Sequence, residues 1–188
     1  MSHGGVNAGV VLHEDLVIAV HGKENIDSSK IGRMVGIRKP YKLPKTGEPM
    51  IELDRKNEAW RNDEIESFTS SPVMNKGRLY ITVKNGELFC NDASTGKTIW
   101  KIKLAPDQIH AAPVWGDGKL YVPMFDGNVF VVEDLGDHGK ILDEIDLKDP
   151  CLAPPSIAHG KILIQTKAGL YCFGNESKPK PFRAKELD

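Results

Sequence analysis

The sequence predicts an all-β fold, a β-propeller of four-stranded antiparallel blades with about three and three-quarter blades present. Three observations predict it. First, the chain of 188 residues repeats itself: Pro72, Pro113 and Pro155 correspond, as do Gly77, Gly118 and Gly160, so the periods are 41 and 42 residues. Second, each copy runs through short alternating apolar stretches separated by Gly-containing turns, the pattern of short antiparallel strands. Third, 18 Gly and 12 Pro suit many turns better than long helices. Four short strands in a unit of about 40 residues describe one propeller blade.

The units divide at about 7–69, 70–110, 111–152 and 153–174. The second unit is the plainest. An apolar strand follows Pro72, and the turn NKG leads into Arg78-Leu79-Tyr80-Ile81-Thr82-Val83. The turn KNG leads to Leu88-Phe89-Cys90, and a Thr-Gly turn leads to a fourth strand ending near Leu104. The third unit repeats this with GDG and FDG, and the last with AHG and KAG. That last unit stops after its third strand. The tail 175–188, NESKPKPFRAKELD beyond Gly174, is Pro- and Lys-rich and is expected to be disordered.

The first unit is a degenerate copy. Its strands are expected at Val10-Val11-Leu12, Leu16 to Val20, Arg33 to Ile37 and Ala59-Trp60-Arg61. Two insertions lengthen it: HGKENIDSSKIG, His21 to Gly32, and Lys39 to Glu58. In an up-and-down blade these loops leave opposite ends of the strands. With four strands already in the first unit and three in the last, an edge is left unpaired. Two ways of covering it are open: an upstream half of a longer chain, or a second copy that closes one ring of about eight blades.

Charge and cysteines exclude several classes. With 25 basic and 26 acidic residues, the net charge of −1 gives no electrostatic case for nucleic acid or an anionic membrane. No apolar run reaches the about 18 residues of a membrane-spanning helix, and the N-terminus reads as a poor signal peptide. Cys90, Cys151 and Cys172 show no Cys-x-x-Cys spacing, so neither zinc nor a disulfide framework is indicated. They are expected to be small buried residues. The six histidines do not pair at metal-binding spacing, and no Gly-x-Ser-x-Gly elbow supports a serine hydrolase.

The stretch NDASTGKTIW, Asn91 to Trp100, contains Gly-Lys-Thr. A phosphate-binding loop needs a second Gly five residues before Gly96 and a helix after the Lys. Asn91 stands at the first place and an alternating strand follows. A tight turn is the better reading, with Gly96 at positive φ and Asp92 and Thr95 bonding nearby backbone.

The run from Asp92 through Thr95 and Gly96 to Trp100 resembles the Asp-x-x-Thr-Gly-x-x-x-Trp signature of PQQ-like (pyrroloquinoline-quinone-type) β-propeller repeats. The Gly-Arg-Leu-Tyr strand and the ending Gly-Leu-Tyr-Cys-Phe-Gly are similar to that family as well, and the likeness covers roughly residues 7 to 174. It implies that Trp100, and Trp60 in the first unit, pack between neighbouring blades. The third unit has Asp143 where the Trp would stand, which puts its docking in question.

The resemblance also frames function. It implies a place in the bacterial cell envelope, periplasmic or extracellular, and a non-catalytic interaction or scaffold role with a protein partner. No cofactor is expected on this reading. The alternative is part of a quinoprotein dehydrogenase, with PQQ and calcium held by blades outside this segment. The adjacent Cys-Cys pair of such enzymes is absent here. The loop from His21 to Gly32 is the foremost functional candidate, because long polar loops on a rigid scaffold carry specificity. Its Glu24, Asn25 and Asp27 could offer oxygen ligands to a hard cation, meet a partner, or form ordinary turns.

Overall fold

The computed structural model describes residues 6–39, 45–49, 55–108 and 110–174. Among them, fifteen strands form four antiparallel sheets, each built from strands consecutive in the chain. Blade 1 is β1 (Val11–His13), β2 (Leu16–Glu24), β3 (Ile31–Arg38) and β4 (Glu58–Asn62). Blade 2 is β5 (Val73–Asn75), β6 (Arg78–Thr82), β7 (Glu87–Asp92) and β8 (Thr98–Lys103). Blade 3 is β9 (Val114–Gly116), β10 (Lys119–Pro123), β11 (Asn128–Asp134) and β12 (Gly139–Asp146). Blade 4 has three described strands, β13 (Ser156–Ala158), β14 (Lys161–Gln165) and β15 (Leu170–Gly174).

The first hairpins of blades 2, 3 and 4 show why the sequence folds this way. Lys76-Gly77, Asp117-Gly118 and His159-Gly160 all have positive φ at both residues, 47° and 77° in the first pair. Two such residues make the mirror-image turn whose twist matches that of paired strands. The turn sets the register, Asn75 opposite Arg78 and Val73 opposite Tyr80. A one-residue slip would reverse every side chain.

Each blade has a rear face toward the preceding blade and a forward face toward the next, and the core lies in the seams. Forward residues Leu16, Ile18, Val20 and Met34 of blade 1 meet rear residues Leu79, Ile81 and Phe89 of blade 2. Tyr80, Leu88, Cys90 and Trp100 of blade 2 then meet Leu120, Val122, Phe130 and Val132 of blade 3. The third seam is thinner, with Val129, Ile145 and Leu147 against Ile162, Ile164 and Phe173. Thus blade 3 does dock without a Trp on its last strand. It uses Val129 of β11 with Ile145 and Leu147 at and after the end of β12, and the rest of β12 lies mostly exposed.

Two expectations need correction. The polar stretch from His21 to Gly32 is not all loop. β2 continues to Glu24 through a bulge and pairs again with Ile31, so the connection shrinks to residues 25–30. Gly22 permits this, because a Cβ there would come within 2.8 Å of the Ser67 carbonyl carbon. Cys172 is also not buried. It occupies the cross-strand place that Cys90 holds in blade 2, facing Leu163 as Cys90 faces Tyr80. Cys90 is covered by blade 3, and nothing among the described residues covers the forward face of blade 4, so Cys172 is exposed. The tail 175–188 and much of the insertion between Lys39 and Glu58 lie outside the described residues.

Candidate functional site

The Thr-Gly turn is locked by its own first residue. The Asp92 carboxylate accepts from the backbone N–H of Ser94 (3.0 Å), that of Thr95 (2.8 Å) and the Thr95 hydroxyl (2.8 Å). Gly96 donates to the Asp92 carbonyl at 2.8 Å and sits at φ 70°. The Trp60 ring of blade 1 lies on that glycine. A Cβ at Gly96 would fall 2.2 Å from the ring, and one at the cross-strand Gly36 2.4 Å from it. Trp100 repeats the arrangement one blade on, where a Cβ at Gly139 would lie 2.8 Å from its ring. Each Trp is therefore a wedge between its own sheet and the Gly turn of the next blade. The backbone N–H groups of Gly96 and Lys97 face Asp92 and Thr95 within the turn, and the Thr98 hydroxyl donates to Asn91.

The seam between blades 2 and 3 holds a second, polar device. Asp134, with its side chain 7% exposed, gathers five hydrogen bonds. Arg78 Nη1 donates to both carboxylate oxygens (3.0 and 2.9 Å), the Tyr80 hydroxyl to Oδ2 (2.6 Å), and the Trp100 indole N–H (3.0 Å) and Gly136 N–H (2.8 Å) to Oδ1. Burial works to raise this carboxyl. The bonds from Tyr80, Gly136 and Trp100 and the Arg78 charge outweigh it and hold the group below the usual carboxylate range. Burial and the bond to Asp134 push the Tyr80 hydroxyl far up, and burial pushes the neighbouring Cys90 thiol up to about 12. None of these groups is poised to exchange a proton near neutrality.

The first seam does without this device. The place of Asp134 is held there, 41 residues earlier, by the buried Ala93. Leu16 and Ile18 stand where Arg78 and Tyr80 stand in blade 2. The Trp60 indole N–H is buried with no hydrogen-bond partner. The three changes form one set: where the acid is present, so are its cation and its phenol.

The candidate loop of blade 1 is drawn onto the rear face of its own sheet. Arg33, 2% exposed, donates through Nη1 to Asp27 (2.7 Å), through Nε to Asp63 Oδ1, and through Nη2 to Asp63 Oδ2 (3.2 Å). Arg61 donates to the other Asp27 oxygen at 2.8 Å and also pairs with Glu58. Bonds from Arg61 and Arg33 drive the Asp27 carboxyl far below its ordinary value, and the Arg33 bond lowers Asp63. The Asn25 amide donates to the Lys30 and Gly32 carbonyls at 2.7 and 3.0 Å. Asp27 thus meets two guanidinium groups, and Asn25 ties the loop's ends. Glu24 closes β2, opposite Ile31. Sequence reasoning missed His21, which is buried beside this network. Burial, then the Arg33 charge, lowers its pKa.

Among the described residues, no three His, Cys, Asp or Glu side chains come together as a metal site. No helix there is long and apolar enough to cross a membrane, which says nothing of β-barrels. The described cysteines are free thiols.

Seams built by a Trp over a Gly turn, in consecutive four-stranded sheets, define the class: the chain has a β-propeller fold and resembles the PQQ-like repeat proteins. The family model and the curated relatives that match carry one name. The family model described as outer membrane protein assembly factor BamB matches residues 50–142. Burkholderia pseudomallei BamB, an outer membrane protein assembly factor, is 32% identical over 103 residues, 54% of this chain and 26% of that protein. The Nitrosomonas eutropha protein of the same name is 26% identical over 112 residues, again 26% of its length. The crystal structure of BamB from Moraxella catarrhalis superposes with a TM-score of 0.64 at 12% identity, over 90% of this chain and 46% of that one. The computationally designed Ika4 protein gives 0.66, also at 12%, over 93% of each chain. Both structural likenesses concern the fold. The matched segment spans about a quarter of the curated relatives.

Proposed function

We propose that this protein is a non-catalytic PQQ-like propeller that serves as an interaction or scaffold module in the bacterial cell envelope, in the periplasm or at the cell surface, with protein partners. The observation that carries the reading is the match of residues 50–142 to the outer membrane protein assembly factor model. It is supported by the way the motif residues are used. Asp92, Thr95, Gly96 and Trp100 are occupied with each other and with the neighbouring blade, so the repeat signature accounts for building rather than for chemistry. The ring is completed by blades beyond this segment or by a second copy of the chain. The loop at Glu24, Asn25 and Asp27 belongs to the partner-facing surface on this reading. No cofactor is required.

The test is an absorbance titration of the intact protein with PQQ and Ca²⁺, followed by a dye-linked alcohol oxidation assay. The reading expects no saturable spectral change and no dye reduction. Saturable binding with turnover would replace it with a quinoprotein dehydrogenase.

A further inference from the structure

Above the Asp134 device lies a cleft of about 410 Å³, lined by Asn75, Lys76, Arg78, Tyr80, Trp115 and Asp134 with the Leu135-Gly136 turn. We propose that this cleft is a binding site for a carboxylate carried next to an apolar group, the chemistry of a peptide's free C-terminus or of an acidic side chain beside an apolar one. The proposal rests on the interaction reading above and narrows the chemistry of the partner.

The case begins with Arg78. Its hydrogen bonds among the described residues all leave from Nη1, to Asp134, to the Gly136 carbonyl at 2.9 Å and, weakly, to Cys90 Sγ. The side chain is nonetheless 30% exposed. The guanidinium is therefore held at one corner, while Nε and Nη2 keep their donors for the cleft. Two parallel N–H groups in one plane match a carboxylate bidentately. An arginine already fixed loses little freedom on binding.

Charge points the same way. Asp134 is saturated by five hydrogen bonds from four donor groups, so one of the two cations, Arg78 and Lys76, is left over and the cleft suits a single negative charge. The wall beside the guanidinium is aromatic: Trp115 stacks on Tyr80 with centroids 5.4 Å apart and planes 19° apart. Such a wall takes an apolar group next to the anion. The fold does not require this polar set, because the first seam packs its Trp with Leu16, Ile18 and Ala93 in the same places. Blade 3 has Lys119 and Tyr121 there, and blade 4 has Lys161 and Leu163. The combination of arginine, phenol and buried acid thus marks one seam of the described blades.

The experiment is an NMR titration of the intact protein, following the Trp115 indole N–H. Three probes are used: N-acetyl-Leu-Phe with a free carboxylate, its C-terminal amide, and N-acetyl-Glu-Phe-amide. At least one carboxylate probe is expected to shift the signal saturably, and the neutral amide is not. Saturation by the free acid alone assigns the site to a chain terminus, and by the Glu probe alone to a side chain. Arg78→Lys keeps a cation beside Asp134 but removes the fork, and should weaken binding about tenfold or more. Lys76→Gln, on the exposed turn, should weaken it several-fold and serves if the first variant folds poorly. No saturation by either carboxylate probe, or affinity unchanged in a folded variant set, overturns the site. That failure leaves the interaction reading standing, whereas PQQ binding with turnover would remove that reading.

Discussion

The Trp100 indole donates a 3.0 Å hydrogen bond to Asp134 across the second seam, while Trp60, the corresponding wedge of the first seam, is buried with its N–H unpartnered. The same steric device is thus built once with a polar anchor and once without. Asp134→Asn keeps the shape but removes the charge that faces Arg78. It should cost about 3 kcal/mol, the scale of breaking a buried ion pair from one side. Urea unfolding at neutral pH checks this. A cost near zero would mean that the seam is held by its apolar contacts alone.

Acid should act through the same group. The Asp134 carboxyl is held below its ordinary value of 3.8 in the folded protein. Its contribution is therefore fully present above that value and is lost as the pH falls through the lower, folded-state pKa. Asp63, lowered chiefly by its bond from Arg33, acts with the same sign. Thermal midpoints should be level from pH 7 to about 5 and fall below about 4. In Asp134→Asn the acid limb should be shallower than in the parent. Equal slopes would show that other carboxylates govern acid unfolding.

Gly96 and Gly118 separate backbone strain from crowding. Both have positive φ, 70° and 73°. A Cβ at Gly96 would strike the Trp60 ring at 2.2 Å, and one at Gly118 meets nothing within 4 Å. Gly118→Ala should cost about 1–2 kcal/mol for the left-handed backbone. Gly96→Ala should cost about 2 kcal/mol more, the added term being overpacking. Equal costs in denaturant unfolding would contradict the wedge.

The 41- and 42-residue periods and the alternation within each copy made the fold class legible, because burial repeats with the seams. The exposure of Cys172 was not legible. Its column is buried only where another blade covers it, and a single chain does not announce its neighbours. His21 escaped for the opposite reason: it was read as loop and lies on a paired strand, opposite Arg33, which was read as strand but whose partners Asp27 and Asp63 come from elsewhere in the chain. Asp134 gave no local signal in Glu133-Asp134-Leu135-Gly136. Its signal was in the repeat comparison, where Leu16, Ile18 and Ala93 are exchanged together for Arg78, Tyr80 and Asp134.

The loop of blade 1 should be held by Asp27 more than it is stabilised by it. Asp27 is part-exposed and bridges Arg33 and Arg61, so Asp27→Asn should move the unfolding midpoint little. Hydrogen exchange should nevertheless quicken between Ile26 and Lys30 and stay unchanged in β6 and β7. Millimolar Ca²⁺ should leave the parent's thermal midpoint where it is, since both Asp27 oxygens already face guanidinium groups. A calcium-dependent rise that Asp27→Asn abolishes would instead make the loop a cation site.

The central proposal is that this propeller holds other proteins in the envelope. The most direct measurement is crosslinking of the intact protein in living cells, from a photoreactive residue placed at the exposed Ile26, with the adducts identified by mass spectrometry. The account predicts discrete adducts with proteins of outer membrane assembly, and fewer of them when the Asp27 anchor is removed. An absence of adducts at this loop and at the Arg78 cleft, in a protein that is exported and folded, would contradict it.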